Sequence, residues 1–380
     1  MKTSLWRVFA ALSIAAAGVA ILVMIAKSDN AGQRDFISYW SAGQQLVHGG
    51  DPYDAAAIQR LERTAGYDQD YRLIMRNPPI AFFMALPLGL VSANTGIVLW
   101  QLALLASLVL SIRMLWNLHG CPDNRLHLLG YCFAPVMECL MAGQLGIFLL
   151  LGVVLFLYFH KSRPLVGGAA LLLCAVKPHL FVPLGLILLI WVVWNRAFRI
   201  LAGFSVALLA SCTLAFCVDR HAWSQYLHMM SSSGIMGEIV PTSSEFFRIL
   251  VHRDAVWLQF VPQTASCIWA VWFFWTRRKV WSWMNDGLLL LLVSVVCAPY
   301  ALLTDEAIVL PAVLAGIYRA EEAGRSILPF GLFAGVAMVE VFAKIPMASA
   351  YYLWTAPAWL AWYLYATKKK RELNTVPAVN

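Results

Sequence analysis

The sequence predicts an all-α polytopic membrane protein, a multi-span helical bundle of about 10–13 transmembrane helices with interfacial helices in its first outer loop. Three observations carry that prediction. Of 380 residues, 61% are hydrophobic and 13% charged, against about 25% charged in an average soluble domain. A mean hydropathy of +0.70 leaves too little polar surface to cover a core in water. The 16 tryptophans suit a membrane–water interface, where the ring is half apolar and its N–H finds a partner.

The first element runs from Met1 to Ala26, with Lys2 and Arg7 ahead of an apolar stretch from Val8 to Ala26. That stretch is longer than the roughly 7–15 apolar residues of a signal peptide, and no small-residue cleavage pattern precedes Lys27-Ser28-Asp29. An uncleaved span at 6–26 is expected. Further spans are read at 94–116, 126–140, 144–160, 165–177, 179–194, 199–217, 255–276, 284–300, 306–318, 327–343 and 349–366. The short ones (126–140, 165–177, 306–318) are candidates for broken or re-entrant helices, and the apolar segment 80–91 for a dip into the membrane. Residues 1–366 then form one transmembrane domain, with large outer loops at 27–79 and 218–254, followed by a basic cytoplasmic tail at 367–380.

Charge fixes the orientation, because Lys and Arg in short loops stay in the cytoplasm. With both termini inside, the inner loops hold 17 of the 28 basic residues and five acids, a net +12. The outer loops hold 11 basic residues and 13 acids, a net −2. The overall charge of +8 is therefore a topology signal, and no nucleic-acid partner is expected. None of the eight cysteines forms a C-x-x-C pair, so they read as small apolar packing residues rather than metal or redox groups. No Walker loop and no strand-borne G-x-G-x-x-G is present, which removes support for cytosolic nucleotide chemistry.

The first outer loop carries the densest pattern. Asp35, Tyr39 and Ala42 fall on one face of a short helix, with Phe36, Trp40, Gly43 and Val47 beside them. Such a helix is expected to lie on the membrane, with Asp35 at its N-terminal end, where the dipole favours a carboxylate. Gly49 to Pro52 reads as a turn, and Asp54 as the N-cap of a helix from Ala55.

The pattern D-F-x-x-Y-W-x-A-G-x-x-L-x-x-G-x-D-P-Y-D, beginning at Asp35 just after a first span, resembles glycosyltransferase family 87. Weaker matches follow in order at Asn77-Pro78-Pro79, Leu86-Pro87-Leu88, Gly143-Gln144, Lys177-Pro178 and Pro299 through Pro311. The resemblance implies a GT-C-like fold and an inverting membrane glycosyltransferase, similar to polyprenol-phosphate-mannose-dependent mannosyltransferases. It implies a polyprenyl-phosphate-sugar donor, a lipid or cell-envelope glycan acceptor, and a site on the outer side of a bacterial plasma membrane. The sugar would be mannose or another hexose or pentose. Asp35 then matches the family's catalytic base. A sugar phosphate already has a good leaving group, so the chemistry needs a carboxylate to take the acceptor hydroxyl's proton. The alternative role for Asp35 is an interfacial helix cap.

A lipid phosphate wants cationic donors; the candidates are Lys177, His179, Arg34 and Arg76, with Arg248 a further outer cation. Lys177 is alternatively a snorkelling interfacial lysine, and Arg34 and Arg76 alternatively pair with acids of their own loop. Tyr39, Trp40, Asp51, Asp54, Glu138, Gln144 and Asp305 are candidates for sugar or acceptor contacts, and Asp305 alternatively salt-bridges an outer arginine or contributes to base chemistry. Glu138 would otherwise support Lys177 or act as a structural carboxyl, and Gln144 would otherwise cap a helix. Mannosyltransferases of the family often carry His near Thr304 and Asp305; its absence here puts the donor sugar in doubt. No cofactor is firmly expected: a divalent metal shared by Asp35 and Asp305 is allowed by the residue types but not required. The rival readings are a secondary transporter or flippase of envelope precursors, and a non-catalytic anchoring protein. A transporter would place ionisable groups mid-membrane in several helices, whereas here Glu138 and Glu340 are the main exceptions to acids in outer loops.

Overall fold

Apolar length and proline placement decide where each helix starts and stops. The computed structural model describes residues 35–67, 73–232 and 240–368. The expected span at 6–26, Arg34 and the tail after Lys368 lie outside the described residues. Among the described residues every regular element is helical. The first helices are α1 (Phe36–Val47), α2 (Ala55–Thr64), a short α3 (Phe82–Ala85), α4 (Ala93–Leu118) and α5 (Ala134–Ala142). The chain continues through α6 (Gly146–Phe159), α7 (Pro164–Ala175), α8 (Val182–Trp194), α9 (Phe198–Val218), α10 (Ala222–Ser232) and α11 (Ser243–His252). It ends with α12 (Val261–Arg277), α13 (Leu288–Val296), α14 (Leu310–Glu322), α15 (Leu328–Phe342) and α16 (Thr355–Thr367).

Two of these, α4 with 26 residues and α9 with 21, are long and apolar enough to cross a membrane alone. Helices of that length reach roughly 39 and 32 Å. Ser92 starts α4 by accepting a hydrogen bond from the Thr95 N–H. The other apolar helices are shorter, and breaks fall where the sequence places proline. The expected span at 126–140 is a 3₁₀ stretch, Leu126–Cys132, followed by α5 with Pro135 in its first turn. The one expected at 306–318 likewise begins as a 3₁₀ turn, Leu303–Val309, before α14. The segment 80–91 folds into three short turns around Pro79 and Pro87, which supply no backbone N–H to continue a helix.

Helix α1 departs from expectation. It does not lie on the protein's surface: Phe36 through Gly43 and Leu46 are all buried. Small residues make this possible. A Cβ on Gly43 would stand 2.2 Å from the Ala85 carbonyl oxygen, and one on Gly89 would stand 2.1 Å from the Gly43 oxygen. The two backbones thus touch, and Gln44 Nε2 bonds the Gly89 carbonyl at 2.9 Å across the same seam. Close approach through small residues recurs where α7 meets α9. There, Cβ atoms on Gly168 and Gly203 would fall 1.9 and 2.0 Å from the carbonyls of Ile200 and Leu165.

Candidate active site

Four chain segments converge beside the N-terminus of α1. The first is α1 itself, with Asp35 at its N-cap position but making no side-chain capping bond. The second is the junction between α5 and α6. Helix α5 ends at Gly143, whose φ of +71° suits glycine, and Trp100 and Gln101 of α4 hold the terminal carbonyls of Gly143 and Leu140. That turn delivers Gln144 to Asp35. The Gln144 amide donates to Asp35 Oδ2 at 2.5 Å, while its carbonyl oxygen accepts from the Tyr39 hydroxyl at 3.1 Å. Tyr39 is in turn stacked on Trp100, with ring centroids 5.2 Å apart. One amide thus locks both the carboxylate and the tyrosine of α1.

The third segment is the break between α7 and α8, where Pro178 stops the helix and leaves Lys177 in an irregular conformation. Asn77 fixes this break by donating to the Val176 carbonyl at 3.1 Å, and Tyr53 bonds the Asn77 carbonyl at 2.8 Å. The fourth is the 303–309 turn. Asp305 is wholly buried in it; Oδ2 accepts the Leu302 N–H at 3.1 Å, and Oδ1 takes the Lys177 ammonium at 2.6 Å. Below it Glu306 accepts hydrogen bonds from Thr355 and Trp359 at 2.6 and 2.9 Å, fastening the turn to α16.

The first three of these segments, with Pro299, Tyr300 and Leu302 ahead of the fourth, wall a cavity of about 2030 Å³, roughly twice the upper end of a drug-sized pocket and so roomy enough for two substrates. Asp35, Tyr39, Asp51, Asp54, Arg76, Glu138, Gln144, Lys177 and His179 all reach its surface. The lining also includes five methionines, Met75, Met141, Met229, Met230 and Met347. Glu138 stands within electrostatic reach of Asp35. Asp51 and Asp54 are committed to local structure: Asp51 accepts from the Tyr53 N–H, and Asp54 caps α2 through the N–H groups of Ala56 and Ala57.

Other candidates sit elsewhere. Trp40 does not line the cavity; its indole N–H bonds the Val91 carbonyl at 2.9 Å and serves packing. Asp305 does not line it either, and lies beneath Lys177 as its counterion rather than at the surface. Arg248 is buried against Glu245 at 2.9 Å. Two contributors carry roles the sequence did not assign, Asn77 as the clamp on the Lys177 break and Glu306 as the anchor of the Asp305 turn. Asn77 had a signal, the Asn-Pro-Pro motif; Glu306 had only its place beside Asp305.

Electrostatics follow from the packing. Burial raises the Asp35 carboxyl above its ordinary range; the Gln144 hydrogen bond and the Lys177 charge oppose this without cancelling it. Lys177, in the break outside the flanking helices, is pulled down by burial, but the Asp305 carboxylate more than offsets this and holds it above lysine's usual value. Burial pushes His179 down to about 4, so it meets the cavity as a neutral imidazole. Among the described residues no group of three or more His, Cys, Asp or Glu side chains is arranged to hold a metal ion.

The sequence profile of glycosyltransferase family 87 matches residues 76–304, well over half of the chain. The chain belongs to glycosyltransferase family 87. A family 87 protein is a glycosyltransferase with a sugar donor and an acceptor, and the family's members are membrane proteins, with which the two long apolar helices agree. No curated protein and no solved structure matches the chain. Within this family 87 chain the match takes in Arg76, Glu138, Gln144, Lys177 and His179. It begins after Asp35.

Proposed function

We propose that this protein is an inverting membrane glycosyltransferase, a hexosyltransferase where the sugar is mannose, with the GT-C-like fold. In this reading it moves mannose, or another hexose or pentose, from a polyprenyl-phosphate donor to a hydroxyl of a lipid or cell-envelope glycan. The observation that carries the reading is the juxtaposition in one cavity of a burial-raised carboxylate, Asp35, with the cation Lys177. In the reaction the acceptor oxygen attacks the anomeric carbon, and its proton passes to Asp35 as that bond forms. The bond from the anomeric carbon to the phosphate oxygen breaks, and the electron pair leaves on the polyprenyl phosphate. Lys177, with Arg76, stabilises the departing charge; neutral His179 supplies one hydrogen bond. A single base opposite the leaving group gives inversion, because no carboxylate nucleophile intervenes.

Gln144 keeps Asp35 aimed at the acceptor, and Glu138 and Tyr39 bind sugar or acceptor hydroxyls. The methionines in the lining suit a polyprenyl chain, because unbranched, polarisable side chains adapt to an irregular apolar ligand. Helix α9 supports a lipid surrounding: only 22% of its apolar window is buried, and Val206, Leu209 and Phe216 stand exposed. Water would not tolerate such a face. The membrane is read as a bacterial plasma membrane, and the charge asymmetry supports both termini cytoplasmic with the cavity on the outer side. The test is transfer from radiolabelled polyprenyl-phosphate sugars to membrane-lipid acceptors by the purified protein, with product anomer read by NMR. Inverted product supports the reading; retained configuration, or no transfer from any such donor, defeats it.

A further inference from the structure

A second recess lies at the far end of the bundle from the catalytic cavity. Helix α14 leaves the 303–309 turn and ends beside this recess, while α15 starts near it and finishes at the cavity, whose wall includes Val341 and Lys344. The 13 residues of α14 separate the two by roughly 20 Å along the helix. The recess, about 340 Å³, is lined by Arg319, Arg325 and Lys368 together with Glu322 and Thr367. Three cations therefore face one acid. Their placement is fixed by hydrogen bonds. Arg325 donates to the carbonyls of Tyr365, Ala366 and Lys368, capping the C-terminal end of α16. Arg319 donates to the Tyr363 hydroxyl at 3.1 Å, to the Met284 carbonyl at 3.0 Å, and to Asn285.

What adjoins the recess decides its ligand. Ile327, Leu328 and Leu332 at the start of α15, and Leu364 and Tyr365 near the end of α16, are 40, 63, 59, 50 and 41% exposed. An apolar face thus runs up to a cationic pocket of headgroup size. The sequence beyond Lys368 continues Lys369-Lys370-Arg371, so the basic character persists past the helix end. A free anion would use the cations and leave the apolar face unpaired, whereas an anionic phospholipid uses both. We propose that this recess binds the phosphate headgroup of an anionic phospholipid, its acyl chains lying along α15 and α16. The proposal rests on reading the chain as membrane-spanning and is independent of the donor sugar. A juxtamembrane cluster of this kind is attracted to anionic leaflets, and the attraction weakens with salt.

The test uses the full chain in nanodiscs of phosphatidylcholine, into which phosphatidylglycerol with the same acyl chains is titrated; thermal melting and native mass spectrometry are the readouts. Phosphatidylglycerol is expected to raise the melting temperature and to stay bound, with phosphatidylcholine doing neither. Lys368 is exposed and contributes only its backbone carbonyl to the fold. Lys368→Glu is therefore expected to melt like the wild type without anionic lipid, to bind that lipid about fivefold more weakly or worse, and to keep its transfer activity. Lys368→Gln is the milder variant and should fall between the two. Equal effects of both lipids, full stabilisation by inorganic phosphate alone, or undiminished binding by both Lys368 variants would overturn the proposal. Loss of transfer activity without loss of lipid binding would instead concern the catalytic reading.

Discussion

Replacing Asp305 by Asn separates what the buried ion pair does for stability from what it does for chemistry. The Lys177 side chain is 11% exposed, at the cavity wall, and that of Asp305 wholly buried, so both charges are largely withdrawn from water. Asn keeps the volume and can still accept the Leu302 N–H through its amide oxygen, so the loss is mainly the charge. Removing one partner of a buried pair costs about 3–5 kcal/mol, because the other is left uncompensated. The second change, Lys177→Met, removes that stranded charge. The double variant Asp305→Asn/Lys177→Met is expected to recover most of the stability, since replacing a whole buried pair by apolar side chains is often close to neutral. Activity should not recover. A charged hydrogen bond to the donor phosphate contributes about 1.5–3 kcal/mol, so donor KM should rise about 10- to 100-fold in the double variant, which lacks the ammonium. Asp305 holds the folded pKa of Lys177 above its unfolded value of about 10.4. The pair's stabilisation is therefore fully present below that value and is lost only as pH rises through the still higher folded one. In Asp305→Asn burial, the largest cause, lowers the lysine and its main counterion is gone, so donor KM should climb with pH towards the alkaline side while the wild type stays flat. The assay is donor-dependence of radiolabel transfer across pH, with thermal melting in parallel. Wild-type stability and wild-type donor KM in Asp305→Asn would refute the positioning role.

Three further outcomes follow from the same geometry. Burial raises Asp35, and a base works only when ionised, so kcat should fall on acidification from a pH above the ordinary carboxylate range; an acid limb near pH 4 would contradict this. Gln144→Leu removes the hydrogen bond that lowers Asp35 and the clamp between Asp35 and Tyr39. It should therefore shift that limb to still higher pH and reduce kcat about tenfold, with donor KM little changed in a substrate-saturation series. Gly43→Ala drives a methyl into the Ala85 carbonyl and should destabilise the protein by about 1–3 kcal/mol in thermal melts, without altering the pH profile.

Local features were legible in the sequence because their causes are local. The long apolar runs of α4 and α9, the Asp54 cap and the proline break after Lys177 each follow from a few adjacent residues. The burial of α1 did not follow. Its Ser38, Ser41, Ala42 and Gly43 look like a weakly amphipathic surface helix until Gly43 meets Gly89 across the fold. The site's partnerships are likewise long-range: Gln144 reaches Asp35 across 109 residues, and Lys177 reaches Asp305 across 128. Composition named the residues but not who faces whom. For that reason the sequence left Asp305 between a sugar contact and a salt bridge, and offered Trp40 as a site aromatic, whereas the fold pairs Asp305 with Lys177 and turns the Trp40 indole N–H to the Val91 carbonyl.

The most direct test of Asp35 as the base is Asp35→Asn, assayed for transfer from polyprenyl-phosphate sugar under single-turnover conditions, with thermal melting alongside. An aspartate whose folded pKa is raised loses stability as it ionises, between its unfolded and folded pKa values. The amide should therefore be as stable as the wild type or slightly more so at neutral pH. Transfer should drop about 10²- to 10⁴-fold, the usual contribution of a positioned base, with donor binding retained. A folded Asp35→Asn protein that transfers sugar at the wild-type rate would contradict the assignment.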